Sequence, residues 1–281
     1  MIISPPYLSP SLITRQVQTA LTEDLGHGDL TAQLLPSSEQ GRAQVWSRET
    51  GLFCGQAWFE ACFKQLDPQS ICHFMVKDGE KFSANQLLVE ITGSLQALVS
   101  AERSALNFIQ LLSGTASLTA QYVEKISDTS AKLYDTRKTI PGLRLAQKYA
   151  VLCGGGHNHR LGLWDALLLK ENHLRAFASP RAAVLTAKAR FPNAWVEIEV
   201  ETLTQLQDAL SAQPDRVLLD NFTVPLLKEA VALTQGACPL EASGNVSLDT
   251  IHTIAMTGVD VISCGALTKN VRAIDFSLLL C

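Results

Sequence analysis

Between Asp135 and His173 the chain reads DTRKTIPGLRLAQKYAVLCGGGHNHRLGLWDALLLKENH. Arg137, Lys138, Arg144, Lys148, His157, His159, Arg160, Lys170 and His173 alternate there with glycines and apolar residues, a spacing that suits a basic pocket better than a solvated helix face. The apolar run Trp164 to Leu169 has the length of a buried strand, and Lys170 stands at its end, so its ammonium is expected to meet a ligand. A cation taken out of water needs an anion beside it. The chemistry on offer is recognition of a small, strongly anionic molecule.

Carboxylates form a second group. In WVEIEVE, Glu197, Glu199 and Glu201 occupy alternate positions and project to one side of a strand, with Val196, Ile198 and Val200 on the other. Turned toward a protein interior they require cations, and Lys138, Lys170 or a bound metal are the candidates. Glu199 and Asp220, from neighbouring strand ends, are placed to hold Mg²⁺, which favours one or two carboxylates with substrate phosphates and water. The segments Ser243-Gly244-Asn245 and Ser263-Cys264-Gly265-Ala266 follow two late strands, and small residues there expose backbone N–H groups to a phosphate.

These residues need elements to position them. Strands are expected at Lys132 to Asp135, Asp165 to Lys170, Trp195 to Glu201, Arg216 to Asp220, Pro239 to Ser243 and Val259 to Gly265. Helix starts lie between them at Ser179-Pro180, Thr202, Thr223 and Ser247 with Asp249. Intervals of 29, 21, 23 and 22 residues separate Lys170, Glu199, Asp220, Ser243 and Gly265, close to the period of a β/α unit. A β/α barrel gathers strand C-termini at one rim, whereas a doubly wound open sheet shares the alternation without bringing these residues together. Eight units take about 250 residues, so this region predicts a reduced barrel of six or seven strands.

Upstream the pattern is α+β. A helix from Ser9-Pro10 to Gly26, short strands at Ala43 to Ser47, Ile71 to Val76 and Leu87 to Ile91, and a helix near Trp58 to Leu66 precede a longer helix from Gln96 to Leu112, ending at Ser113-Gly114. The turn EDLGHGDLT at 23 to 31 reads as backbone geometry, and Arg103, in mid-helix, has no special claim on these grounds. In the basic segment, Pro141 can open a helix that Gly154, Gly155 and Gly156 close. The expected division is an N-terminal α/β sandwich domain at 1–115, with the tail 270–281 packed on it, and a β/α barrel at 116–269.

The 281 residues exceed the usual single core, and 47% hydrophobic with 18% charged content is that of a compact protein. A formal net charge of −4 argues against nucleic acid as partner, so any anion site is local. Seven scattered cysteines without a C-x-x-C pair suit a reducing compartment, and His157-Asn158-His159 lacks the spacing of a zinc site. No apolar run approaches the roughly 20 residues a membrane span needs, and the expected location is cytoplasmic.

EDLGHGDLTA at 23 to 32, ERSALNFIQLLSGTAS at 102 to 117, the segment at 135 to 173, VEIEVE at 196 to 201, LLDN at 218 to 221, LEASGNVSL at 240 to 248 and GVDVISCGALT at 258 to 268 together resemble the quinolinate phosphoribosyltransferases. The resemblance implies a Mg²⁺-dependent conversion of quinolinate and phosphoribosyl pyrophosphate to nicotinate mononucleotide, pyrophosphate and CO₂ in NAD biosynthesis. It also implies a homodimer in which Arg103 reaches the active site of the partner subunit. Arg137, Arg160 and Arg103 would bind the two carboxylates, with Thr136, Lys138 and His159 close by, and bidentate pairing is the reason for arginine there. Lys138 and Lys170 would contact the pyrophosphate substrate, Glu199 and Asp220 its metal and ribose, and Ser243, Gly244, Asn245, Ser263, Cys264 and Gly265 its 5′-phosphate. A ModD-like relative with another ring substrate and a non-catalytic phosphate-binding module are the alternatives. Thr268-Lys269-Asn270 departs from the T-H-S common in the family, as does Ile140 from a Thr.

Overall fold

The structure, a computed structural model, describes residues 5–281. The chain divides into two compact units. One takes the residues up to Ala120 together with Ile140–Gly155 and Asn270–Cys281; the other takes Gln121–Thr139 and Gly156–Lys269. The segment Ile140–Gly155, placed by sequence in the barrel, thus belongs to the first unit.

In the first unit α1 (Pro10–Leu25) starts at Ser9, whose hydroxyl accepts the Leu12 amide at 3.2 Å, with proline in the opening turn. There follow β1 (Gln40–Ser47), β2 (Gly51–Leu52), α2 (Gln56–Leu66), β3 (Ile71–Phe74), β4 (Lys81–Phe82) and β5 (Leu87–Ser94). Beyond them come α3 (Leu95–Lys125) and α4 (Arg144–Cys153). The C-terminal strand, Phe276–Leu280, pairs antiparallel with β1, completing a sheet in the order C-terminal strand, β1, β5, β3. Alternation puts Ala43, Val45 and Ser47 of β1 inside. Trp58, Phe59 and Phe63 of α2 and Leu98, Leu106, Ile109 and Leu112 of α3 join the same core, each burial contributing about 1.5–3 kcal/mol.

Two sequence expectations fail here for a physical reason. α3 continues to Lys125 instead of ending at Ser113-Gly114. Those residues are an attachment face: the Ser113 hydroxyl accepts the Cys54 amide at 3.0 Å, Ser117 accepts that of Leu52 at 2.7 Å, and a Cβ on Gly114 would collide with the Arg272 carbonyl. Likewise α4 begins at Arg144, because Pro141-Gly142 forms a turn with Gly142 at φ +81° and the Leu143 amide bonded to the Ile140 carbonyl.

In the second unit β6 (Lys132–Tyr134) and β7 (Leu167–Leu169) are followed by α5 (Glu171–Leu174), α6 (Pro180–Arg190), β8 (Val196–Val200) and α7 (Leu203–Leu210). The remaining elements are β9 (Arg216–Asp220), α8 (Val224–Thr234), β10 (Leu240–Ser243), α9 (Ile251–Ala255), β11 (Val261–Ser263) and α10 (Ala266–Lys269). Ser179 and Thr202 cap α6 and α7 as expected, each hydroxyl accepting an amide at 3.2 Å. α9 starts four residues later than Ser247, which forms a turn by donating its amide to Thr250 Oγ1 at 2.9 Å.

All six strands are parallel, in the order β6-β11-β10-β9-β8-β7. The sheet is curled. A flat sheet would hold its edge strands β6 and β7 about 24 Å apart, yet Lys138, just after β6, and Lys170, at the end of β7, line one cavity. The rolled sheet does not close, since β6 and β7 are not hydrogen-bonded neighbours. β7 is shorter than its apolar run: Asp165 closes a turn by accepting the Leu161 amide at 2.8 Å, leaving Trp164 79% exposed. No helix among the described residues is long and apolar enough to cross a membrane.

Gly114→Ala tests the attachment of α3. Although alanine is the better helix former, the substitution is expected to lower unfolding free energy by about 1–3 kcal/mol through the clash, seen as a fall in the urea midpoint at unchanged slope.

Candidate active site

The second unit carries a cavity of ≈ 200 Å³ lined by Thr136, Arg137, Lys138, His159, Arg160, Leu168, Lys170, Leu218, Glu241, Ser243 and Ser263. Strand ends supply most of these, and the loop after His157 supplies the rest. His157 pairs with β6 through its backbone and stacks on Tyr134, ring centroids 5.3 Å apart, which brings His159 and Arg160 to the same rim as Arg137 and Lys138.

Arg137 and Arg160 are close enough to repel. Burial, then the charge of Arg137, pulls the Arg160 guanidinium below its usual pKa, a strain that a bound dianion would relieve. Arg160 Nη1 donates to the Ala166 carbonyl at 3.0 Å, which fixes its direction. Lys170 Nζ meets Glu199 at 2.6 Å, and Asp220 lies near both: its pKa is raised by burial and by Glu199, against the opposing charges of Lys170 and Lys138. Gly265 permits the approach of its loop to this group, for a Cβ there would touch the Lys138 and Thr136 side chains. Gly244, at φ +98°, packs against Asn221, where any side chain would collide.

Below the rim lies a second charged layer. Glu197 and Glu241 are 2% and 0% exposed. Arg216 Nη1 donates to Glu241 at 2.7 Å and sits 3.9 Å from Glu197, while its guanidinium is stacked by Tyr134 and Trp195. His159 Nε2 stands 3.1 Å from Glu197 and 3.5 Å from Glu241. Burial disfavours a charged His159 ring and the two carboxylates favour it, pulling its pKa up to about 9. With Nε2–H turned to the carboxylates, however, the second proton would have to sit on Nδ1, where the Arg160 amide already donates at 2.8 Å, and this contact opposes the upward pull. Burial raises Glu197; at Glu241 the same penalty is outweighed by His159, Ser263 and Arg216, which hold it down at about 2.

Of the expected residues, Thr136, Arg137, Lys138, His159, Arg160, Lys170, Ser243 and Ser263 meet at this cavity. Cys264 does not. Its thiol is buried against the Val246 carbonyl and its amide is bonded to Tyr134, so neither is open to a phosphate. Asn245 lines a neighbouring cavity with Thr223 and Thr250. Glu201 lies past the end of β8 and is exposed. Arg103 belongs to the first unit, where it is 58% exposed and lines a cavity of ≈ 360 Å³ with Glu23 and Asp24. Arg216, Glu241 and the buried Asp135 were missed, although Arg216 opens the strand RVLLD and stands in register with Glu197.

Residues 29–113 and 115–279 match the N-terminal and C-terminal domains of quinolinate phosphoribosyl transferase. The chain belongs to the quinolinate phosphoribosyltransferase family. A probable carboxylating nicotinate-nucleotide pyrophosphorylase of Bacillus subtilis is 39% identical over 91% of this chain and 89% of that protein. The chloroplastic carboxylating enzyme of Arabidopsis thaliana is 38% identical over 99% of this chain and 85% of its own length. Among solved structures, a nicotinate-nucleotide pyrophosphorylase from Francisella tularensis superposes with a TM-score of 0.94 at 45% identity, covering 98% of each chain.

Within this family member, Arg216 is the counter-charge for two interior carboxylates. Arg216→Met leaves both without it and is expected to cost about 3–5 kcal/mol of stability, measured by chemical denaturation. A loss below about 1 kcal/mol would show that the layer is not held together by charge.

Proposed function

We propose that the chain is a carboxylating nicotinate-nucleotide pyrophosphorylase, a pentosyltransferase that joins quinolinate to phosphoribosyl pyrophosphate in NAD biosynthesis. The observation that carries this reading is that Arg137 and Arg160 line one cavity of a chain whose net charge is −4. Two adjacent carboxylates on a planar ring match two arginines, each able to pair bidentately.

In the reaction the quinolinate ring nitrogen bonds to ribose C1 as the C1–O bond to pyrophosphate breaks. The 2-carboxylate then leaves as CO₂, its electron pair remaining at ring C2 beside the cationic nitrogen until a solvent proton arrives. Lys138 and Lys170 receive the departing pyrophosphate charge, and Glu199 or Asp220 faces the electron-poor ribose, so catalysis is positioning and electrostatics. The hydroxyls of Ser243 and Ser263 face the 5′-phosphate, with the Gly244 and Gly265 loops giving close approach. Glu199 raises the cost of ionising Asp220, which suits the pair to share a divalent cation. Mg²⁺ held there supplies charge neutralisation for the pyrophosphate.

We further propose a homodimer in which Arg103 of a second copy completes the carboxylate site, and a cytoplasmic location. Pure protein given quinolinate, Mg²⁺ and phosphoribosyl pyrophosphate is expected to release nicotinate mononucleotide, pyrophosphate and CO₂ in equal amounts. Binding without pyrophosphate release would point to a non-catalytic module instead. For the shared site, Arg103→Ala and Lys138→Ala are each expected to be inactive alone. Random exchange of their subunits restores about a quarter of the sites, and no recovery after exchange would remove Arg103 from the scheme.

A further inference from the structure

His159 lines the cavity, but both of its ring nitrogens are engaged by the protein. Nδ1 accepts the backbone N–H of Arg160 at 2.8 Å, and Nε2 points at Glu197 and Glu241. The residue is also held from behind. Its own backbone amide donates to Asp135 Oδ1 at 2.9 Å, and the Asn158 side chain donates through Nδ2 to Oδ2 of the same carboxylate at 2.7 Å. Asp135 is fully buried, directly after β6. Downstream the Arg160 guanidinium donates to the Ala166 carbonyl. Asp135 thus fixes the backbone of His159, and a series of contacts runs from the two glutamates through the imidazole to the backbone of Arg160, which lines the cavity.

An imidazole at such a place has four possible uses. It can donate to a substrate carboxylate or carry a proton to the reacting ring, and either requires a nitrogen open to the cavity. It can ligate a metal: the donor atoms of His159, Glu197 and Glu241 lie within 4.8 Å of one another. Arg216 already supplies a cation to both carboxylates, 2.7 Å from Glu241, and a metal ion would have to displace it. The remaining use is to hold a neighbour in place, and the bonds above do that.

We propose that His159 is a positioning residue: as the Nε2–H tautomer it donates to Glu197 and Glu241, and its bare Nδ1 holds the Arg160 amide, setting how that guanidinium meets the substrate carboxylate. A proton on Nδ1 would set two N–H groups against each other across 2.8 Å. The inference rests on the function proposed above for its kinetic arm, and on geometry alone for its spectroscopic arm.

Two substitutions separate the ends of the ring. Asparagine places an acceptor near the position of Nδ1, while glutamine places a donor near that of Nε2 and loses the acceptor. His159→Asn is expected to keep the quinolinate KM within about threefold of the parent and His159→Gln to raise it about tenfold, the worth of one hydrogen bond. The phosphoribosyl pyrophosphate KM and kcat should move by less in both. The reverse ranking, or an equal collapse of kcat in both variants, would overturn the proposal. Nitrogen-15 spectra of the His159 ring in the unmodified protein require no activity and no variant. They should show Nε2 protonated and Nδ1 bare at neutral pH; a doubly protonated ring or the Nδ1–H tautomer would contradict the inference. The stated tautomer in a protein inert toward quinolinate would support the relay and sink the functional reading instead.

Discussion

Glu197 and Glu241 are buried on one face of a curled parallel sheet, on the two strands that flank β9, and the second unit depends on their compensation. An uncompensated interior carboxylate costs several kcal/mol, more than most domains have to spare. Arg216 removes that cost from the side and His159 from above. The position of Arg216 is set in turn by two aromatic rings, Tyr134 from β6 and Trp195 just before β8. The sheet must roll for these groups to meet, so the charged layer and the barrel curvature specify one another.

The rim inherits its order from that layer. His159 is fixed by the glutamates below and by Asp135 behind, and it holds the backbone of Arg160. Lys170 and Lys138 stand around Asp220 and Glu199, so the cavity has separate cationic parts: a guanidinium pair shaped for planar carboxylates and an ammonium pair suited to phosphate oxygens. The proposed two-substrate reaction uses both at once. No protein nucleophile is required, and the buried cysteines offer none, since burial pushes the thiols of Cys54, Cys62 and Cys264 upward.

Much of this was legible in residue order. The six strands were visible because each is a short apolar run ending in a polar or small residue, and Ser179-Pro180 and Thr202 announced their helices by capping chemistry. Lys170, Asp220 and Ser243 were visible for the same reason: a strand end in a repeating β/α unit has a known direction. What stayed hidden depends on partners distant in sequence. Gly114 looks like a helix stop until the carbonyl of Arg272 is seen against it. Trp164 looks like a core residue until Asp165 is seen closing the turn around it. Cys264 sits in a loop of small residues, but its amide is taken by Tyr134. Glu241 and Arg216 carry no mark in the sequence, because their meaning lies in the contacts between strands. Arg103 acquired a role only through resemblance to the family, since its exposure in a single chain marks nothing unusual.

The central claim is that paired guanidinium groups select a ring bearing two adjacent carboxylates. Calorimetric titration of the protein with quinolinate and with nicotinate, which lacks the 2-carboxylate, tests it directly. A charge-assisted bond is worth about 1.5–3 kcal/mol, so the dicarboxylate is predicted to bind at least about tenfold more tightly. Equal affinity for the two, or preference for the monocarboxylate, would contradict the account.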